Sequence, residues 1–193
     1  MNELFTPLLF LRVKHAVKPF YDVVYPLVFA VAAGSIILWW PHEFALVGQD
    51  SLVQALNSLI GILIGFYIAA LAAVATFDRP EMDELMKGDP ATLDLPGRDT
   101  PLLLTRRIFL TLLFGHLTLV SIMVFVAFSC ANVMLAQVHV DDGSGYGLAR
   151  AAFVYVYCFL IGHILSESLL GVYYLAWRAV IFDPKIIASN DDR

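Results

Sequence analysis

Charged residues and cysteine are scarce in this chain of 193 residues. Charged side chains make up only 15% of it, whereas hydrophobic side chains make up 60%, and both values lie outside the range of a soluble globular domain. The two cysteines are too few for a disulfide framework and show no spacing typical of a metal knuckle. The composition therefore indicates a membrane protein.

Catalytic motifs and a basic surface are also missing. No GxSxG, HExxH, phosphate-binding loop or glycine-rich dinucleotide fingerprint occurs, so we expect neither an enzyme nor a bound cofactor. A net charge of −5 argues against direct binding of nucleic acid. The apolar stretch TPLLFL precedes the basic stretch RVKHAVK, which is the reverse of a signal peptide, so we expect the N-terminus to be retained.

Four long apolar stretches are present, at residues 23–40, 52–77, 108–135 and 148–177. A hydrocarbon core of about 30 Å needs about 20 helical residues, so each stretch predicts a transmembrane helix. The apolar residues occupy both faces, which excludes the alternating pattern of membrane barrel strands. We predict an all-α integral membrane protein with four transmembrane helices.

The basic residues predict the orientation of these helices. Eleven of the twelve Lys and Arg residues lie before the first apolar stretch, between the second and third, or after the fourth, and only Arg150 lies elsewhere. The positive-inside rule therefore places both termini and the loop in the cytoplasm. We divide the chain into an interfacial N-terminal helix (1–19), the first two spans (20–77), a cytoplasmic loop (78–107), the last two spans (108–180) and a cytoplasmic tail (181–193).

The central loop contains one short-helix signature. In DRPEMDELMKG, Asp78 is a suitable N-cap and Gly88 a suitable stop, whereas the prolines of the loop exclude one long helix. The apolar face of this helix would consist of Met82, Leu85 and Met86. It either packs on the bundle or on a neighbouring subunit, or it docks a cytoplasmic protein partner.

Two arginines close the loop. Arg106 and Arg107 immediately precede the third apolar stretch, which places them at the level of the lipid headgroups. We predict that both contact lipid phosphate, since clustered basic residues beside a span favour anionic lipid.

Small residues recur every four positions along the second span, at Gly61, Gly65, Ala69 and Ala73, and Asn57 lies one step before them. Such a stripe lets two helix backbones approach closely, because its side chains are small. The resulting packing contacts hold the helices together, since lipid supplies no hydrophobic drive for their association. The partner is either another span of the same subunit or the same helix of a second subunit. The Asn57 amide either bonds across an interface or faces water.

Ionisable residues occur inside the last two spans. His116 lies in the third, and His163 and Glu167 lie four residues apart on one face of the fourth. His116 follows Arg107 by nine residues and Glu167 precedes Trp177 by ten, so both should lie about 14 to 15 Å deep. We therefore expect one polar cluster near the membrane midplane.

Three interpretations of this cluster stay open. An ionised carboxylate in hydrocarbon costs at least about 2.5 kcal/mol, so Glu167 should be neutral, paired or hydrated. The cluster is an interhelical hydrogen bond to His116 or His163, a water-filled or proton-responsive site, or a metal triad. No carboxylate that would orient the histidines is visible in the sequence, so we predict no metal.

These features favour an oligomeric membrane sensor or scaffold subunit, because close packing and buried ionisable groups are present and catalytic motifs are not. The alternative is a pore- or channel-forming effector that depolarises the membrane. Conductance in a reconstituted bilayer separates the two functions.

The layout of the chain resembles the KwaA membrane proteins of the Kiwa antiphage defence systems. The resemblance lies in four spans, both termini inside, and the proline-broken loop FDRPEMDELMKGDPATLDLPGRDTPLLLTRR. It covers the chain as architecture and carries over no functional residue. It implies a homo-oligomer, with a tetramer favoured, in the bacterial inner membrane, which senses phage infection and acts with a cytoplasmic, DNA-binding partner.

Overall fold

The computed structural model describes residues 3–15, 17–39, 45–76, 82–85, 91–94, 100–136 and 144–177. Its long helices are α1 (Tyr25–Trp39), α2 (Leu52–Thr76), α3 (Arg106–Ala136) and α4 (Ser144–Val172). A π-helical turn, Phe20–Val24, leads into α1, and a second one, Tyr173–Trp177, continues α4. Four helices are long and apolar enough to cross a membrane, so the predicted helical fold is confirmed and the chain is a multi-pass membrane protein.

The helices pack most extensively as two antiparallel pairs, α1 with α4 and α2 with α3. Gly162 of α4 lies so close to α1 that a Cβ atom there would be 3.1 Å from the Pro26 Cα and 3.0 Å from the Phe29 Cδ1. Near the other end of the same pair, a Cβ at Gly34 would meet the Tyr155 ring at 2.7 Å. These two glycines therefore permit the close approach of α1 and α4.

The N-terminal segment is helical, but it forms a 3-10 helix, Glu3–Arg12, that packs against α3. Phe10 is fully buried, and its ring centroid lies 5.8 Å from that of Phe109. A Cβ atom at Gly115 would contact the Pro7 ring at 3.5 Å. The segment predicted to be interfacial is thus held against the bundle by its apolar side chains.

A small antiparallel sheet, absent from our sequence prediction, joins the N-terminal segment to the central loop. It consists of β1 (Val13–Lys14), β2 (Thr92–Leu93) and β3 (Leu102–Leu103), in that order. Val13 pairs with Leu93, and Leu93 pairs with Leu102. The exposed Lys14 Nζ lies 2.7 Å from Asp94 Oδ2, and this hydrogen bond raises the pKa of Lys14.

The sheet lies at one end of the bundle, here called the sheet end. The hydrophobic core runs without a break from the spans into this end, where its members are Phe10, Val13, Met82, Ala91, Leu93, Leu104 and Phe109. The pairing of β1 with β2 requires the N-terminal segment and the central loop to lie on the same side of the membrane. That side is the cytoplasm in our prediction.

The short helix predicted in the loop falls largely outside the described residues, as do the C-terminal residues 178–193. Its described part, Met82–Leu85, contains no α-helix. Leu85 instead forms an isolated antiparallel bridge with Thr105. The physical reason is that backbone pairing with the chain entering α3 competes with a helical turn in this part of the loop.

Candidate functional site

The structure brings the three predicted cluster residues together between α3 and α4. His116 Nε2 lies 3.6 Å from Glu167 Oε2, and His163 Nε2 lies 3.4 Å from Glu167 Oε1. The two imidazole rings are nearly perpendicular, with centroids 5.8 Å apart. Glu167 is 0% exposed and His116 is 1% exposed, whereas the His163 side chain is 12% exposed, so the centre of the cluster is buried and its edge reaches the surface of the subunit.

Two further charged residues, which our sequence analysis did not assign to the cluster, reach it from the N-terminal side. Lys18 and Asp22, four residues apart, form a buried ion pair, and both interact electrostatically with Glu167. The Asp22 carbonyl oxygen lies 3.2 Å from His163 Nδ1. The Lys18 Nζ also lies 4.6 Å from the centroid of the Phe10 ring.

A sequence signal for these two residues existed. Lys18 and Asp22 have the spacing of helical neighbours and flank Pro19 at the start of the first span. We counted Lys18 among the cytoplasmic cations, whereas the structure buries it. Only the position of α1 along α4 places the pair beside His163, and the sequence does not show that position.

The cluster lies beside the start of the first span. That span, Phe20–Trp39, has 20 residues and is about 30 Å long, which is just enough to cross the hydrocarbon core. Asp22, which contacts His163, is only its third residue. The depth of the cluster in the membrane stays a prediction.

Several polar atoms of the cluster have no hydrogen-bond partner within the described residues. They are Asp22 Oδ1, both ring nitrogens of His116 and both carboxyl oxygens of Glu167. The distances from Glu167 to the histidines exceed the usual 2.7 to 3.2 Å of a hydrogen bond. Each unsatisfied buried group costs about 1 to 3 kcal/mol, so these atoms need partners, and the three interpretations of the cluster as an interhelical hydrogen bond, a water-filled or proton-responsive site or a metal triad stay open.

Asn57 connects three helices inside the subunit. Its Nδ2 donates to Ser129 Oγ of α3 at 3.1 Å, and its Oδ1 accepts from the Tyr157 hydroxyl of α4 at 3.2 Å. Of the two roles that the sequence left open for Asn57, the structure shows the hydrogen bond across an interface.

The stripe of small residues faces outward. Gly61, Gly65 and Ala69 are exposed and Ala73 is partly buried, whereas the buried face of α2 carries Asn57, Ile60, Tyr67, Ala70 and Val74. A Cβ atom at Gly65 would meet nothing within 4 Å. A Cβ atom at Gly61 would lie 3.9 Å from the Phe125 ring, so within the described residues the stripe has only this loose contact with the same subunit. Close packing of the stripe on another span or on a second subunit stays a prediction.

Arg107 has protein partners at the start of α3, and its contact with lipid phosphate stays a prediction. Its Nε and Nη2 donate to the two carboxyl oxygens of Asp83 at 2.7 and 3.0 Å, and its Nη1 donates to the Val74 carbonyl at 2.9 Å. These bonds lower the pKa of Asp83, chiefly through hydrogen bonding to its ionised form. The geometry of a bidentate pair explains why Asp83 competes well for this guanidinium. The contact of Arg106 with lipid stays a prediction.

The predicted docking face is divided between core and surface. Met82 is buried in the core of the sheet end, so it is not available to a partner. Leu85 is 47% exposed, and Met86 lies outside the described residues.

Comparison with protein-family models, curated proteins and solved structures gave no match for this chain. What the cluster can do chemically therefore follows from its own geometry. It combines two imidazoles, two carboxyl groups and one ammonium in a dry site, which is a set of groups able to bind protons or a metal cation.

Proposed function

We propose that this protein is an oligomeric sensor and scaffold subunit of the bacterial inner membrane, which serves in antiphage defence with a cytoplasmic partner. The observation that carries the sensor role is the position of the buried cluster. It joins the N-terminal segment to α1, α3 and α4, and Lys18 and His116 both contact Phe10 of that segment.

A continuous set of contacts leads from the cluster to the sheet end. Phe10 packs on the His116 ring with centroids 5.3 Å apart, and Val13, three residues later, pairs with Leu93 of the central loop. If the packing of the spans changes so that Lys18 and Asp22 move apart, each is left as an uncompensated buried charge. Such a state is strongly unfavourable. The N-terminal segment and the sheet must then shift, and a partner at that face would respond.

The remaining parts of the proposal have separate supports. The outward-facing stripe on α2 offers a surface on which a second copy can approach closely, which supports a homo-oligomer. The one-sided distribution of basic residues supports a sheet end in the cytoplasm. Antiphage defence in the inner membrane is supported by the resemblance of the layout to KwaA.

The alternative function, a pore-forming effector, has weaker support. A conducting pathway lined by the cluster would need Glu167 and His116 to face water, yet both are almost fully buried within one subunit. A stable ion conductance of the purified protein in planar bilayers would nevertheless favour the effector over the sensor.

The experiment is phage challenge of bacteria that carry the gene with its genomic neighbours. We expect wild type to lower the efficiency of plaque formation, and Glu167→Gln to abolish this protection without loss of the oligomer. Glu84→Gln is the matched control, because Glu84 is exposed. The proposal fails if wild type gives no protection against a broad phage panel, or if Glu167→Gln protects as well as wild type.

A further inference from the structure

We propose that His116, His163 and Glu167 bind one divalent transition-metal ion, for which zinc is the best fit. This reverses our expectation from the sequence. The structure supplies what the sequence did not show, namely a shared position for the three ligands and a partner that orients one of the histidines.

The distances suit zinc. In a tetrahedral site, imidazole nitrogens and carboxyl oxygens lie about 2.0 to 2.2 Å from the ion, which places neighbouring ligand atoms about 3.3 to 3.5 Å apart. The two His–Glu contacts measure 3.4 Å to Oε1 and 3.6 Å to Oε2, so the Glu167 carboxyl group would bind through both oxygens or turn to bring one of them between the histidines. All three candidate ligand atoms lie within 4.8 Å of one another, so only the two histidines need to move closer. Two histidines and one glutamate form a known zinc ligand set.

His163 has the orientation that a metal ligand needs. A ligating histidine usually donates its other ring N–H to a backbone carbonyl or a carboxylate. The Asp22 carbonyl oxygen is 3.2 Å from His163 Nδ1, so the proton is favoured on Nδ1 and the Nε2 lone pair points toward Glu167. The spacing of four residues along α4 keeps Glu167 on the same face.

An ion also accounts for the atoms that lack partners. Both Glu167 oxygens and His116 Nε2 are buried without hydrogen bonds, and they converge on the same position. The Asp22 side chain, which pairs with Lys18 and acts on Glu167, stands beside the three ligands as a supporting group. A cation at the shared position would give His116 Nε2 and the Glu167 carboxyl group a bond.

Among the described residues, Lys18 is a positive side chain that acts on the cluster, and its charge is largely balanced. Asp22 forms an ion pair with its ammonium group, and the Phe10 ring lies 4.6 Å away. A divalent cation would therefore meet little net repulsion from this pair, and its binding would displace the proton of the buried Glu167 carboxyl group.

Metal binding is tested on the purified full chain and does not depend on the sensor role. The protein is prepared in detergent with a tag that contains no histidine, stripped with a chelator, and titrated with Zn²⁺ and Co²⁺. We expect one Zn²⁺ per chain by mass spectrometry. X-ray absorption should show nitrogen and oxygen ligands at about 2.0 to 2.1 Å, with imidazole scattering and no sulfur. Absence of stoichiometric binding, or a sulfur ligand, overturns the proposal.

Variants test which residues hold the ion. His116→Gln, His163→Gln and Glu167→Gln should each abolish stoichiometric binding, and Asp22→Asn should weaken it about 10- to 100-fold, as loss of a supporting group does. His15→Gln is the control, since His15 lies outside the cluster, and it should bind like wild type. Wild-type affinity in Glu167→Gln refutes the site. If the variants do not fold, the wild-type absorption spectrum alone still decides the matter.

Discussion

The hydrogen bonds of Asn57 give the sharpest test of how the spans are held together. Asn57→Ala removes one bond to Ser129 and one to Tyr157. Tyr157→Phe removes the bond to Asn57 and a longer one to the Val53 carbonyl, but it keeps the ring that packs on Phe128, with centroids 4.2 Å apart. A double-mutant cycle of the two positions therefore isolates the hydrogen bond between Asn57 and Tyr157.

The magnitude follows from the number of bonds lost. Interhelical hydrogen bonds in membranes average about 0.6 kcal/mol and reach about 1.7 kcal/mol. Asn57→Ala should thus lower the free energy of unfolding by about 1 to 3 kcal/mol. The Tyr157 hydroxyl has a second acceptor, the Val53 carbonyl at 3.4 Å, so Tyr157→Phe should cost no more than about 1.7 kcal/mol.

The assay is equilibrium unfolding in mixed micelles with increasing SDS, followed by circular dichroism, for wild type, both single variants and the double variant. We expect a coupling energy of about 0.6 to 1.7 kcal/mol between the two positions. A coupling energy below about 0.3 kcal/mol, which is the scatter of independent sites, would refute the contact between Asn57 and Tyr157.

Three other predictions concern assembly, orientation and the loop. Gly65→Leu should dissociate the oligomer, as measured by size-exclusion chromatography with light scattering. The subunit should stay folded, since no side chain among the described residues lies within 4 Å of a Cβ there, and an unchanged oligomer places the stripe in lipid. In intact cells, Asp94→Cys should resist an impermeant thiol reagent and Gly143→Cys should react; labelling of Asp94→Cys contradicts the orientation. The ion pair of Asp83 with Arg107 contributes its full stability at pH values above the ordinary carboxyl pKa. This stability is lost only as the pH falls through the lowered pKa of Asp83. Limited proteolysis of the loop from pH 7 to 3 should therefore show protection lost at acidic pH in wild type and absent throughout in Asp83→Asn, and identical profiles would exclude this role.

The four spans could be predicted from the sequence because the thickness of a bilayer sets a length of about 20 apolar residues. The face shared by His163 and Glu167 could also be predicted, since it depends only on helical periodicity. Their approach to His116 followed from distances counted along two long helices. These are local or one-dimensional properties of the chain, and the hydrophobic pattern records them directly.

The contacts of Lys18 and Asp22 could not be obtained in that way. They depend on where α1 lies along α4, which the close approach at Gly162 helps to set. The sheet was missed because strands of two residues show no alternation of polar and apolar side chains. The pairing of Arg107 with Asp83, 24 residues apart, depends in turn on the path of the loop. Each of these features needs the relative positions of elements that are distant in sequence.

The short first span connects the buried charges to the architecture of the sheet end. Because α1 begins beside His163, the apolar turns of α3 and α4 beyond that level have no span of α1 to cover them. Phe10 covers Phe109 in this region, and Phe109 also packs on Tyr174. The same N-terminal segment then leads through Lys18 and Asp22 into the cluster, so these charges lie beside the start of the first span. The cluster and the sheet end therefore depend on one segment, which explains how a change at one of them can reach the other.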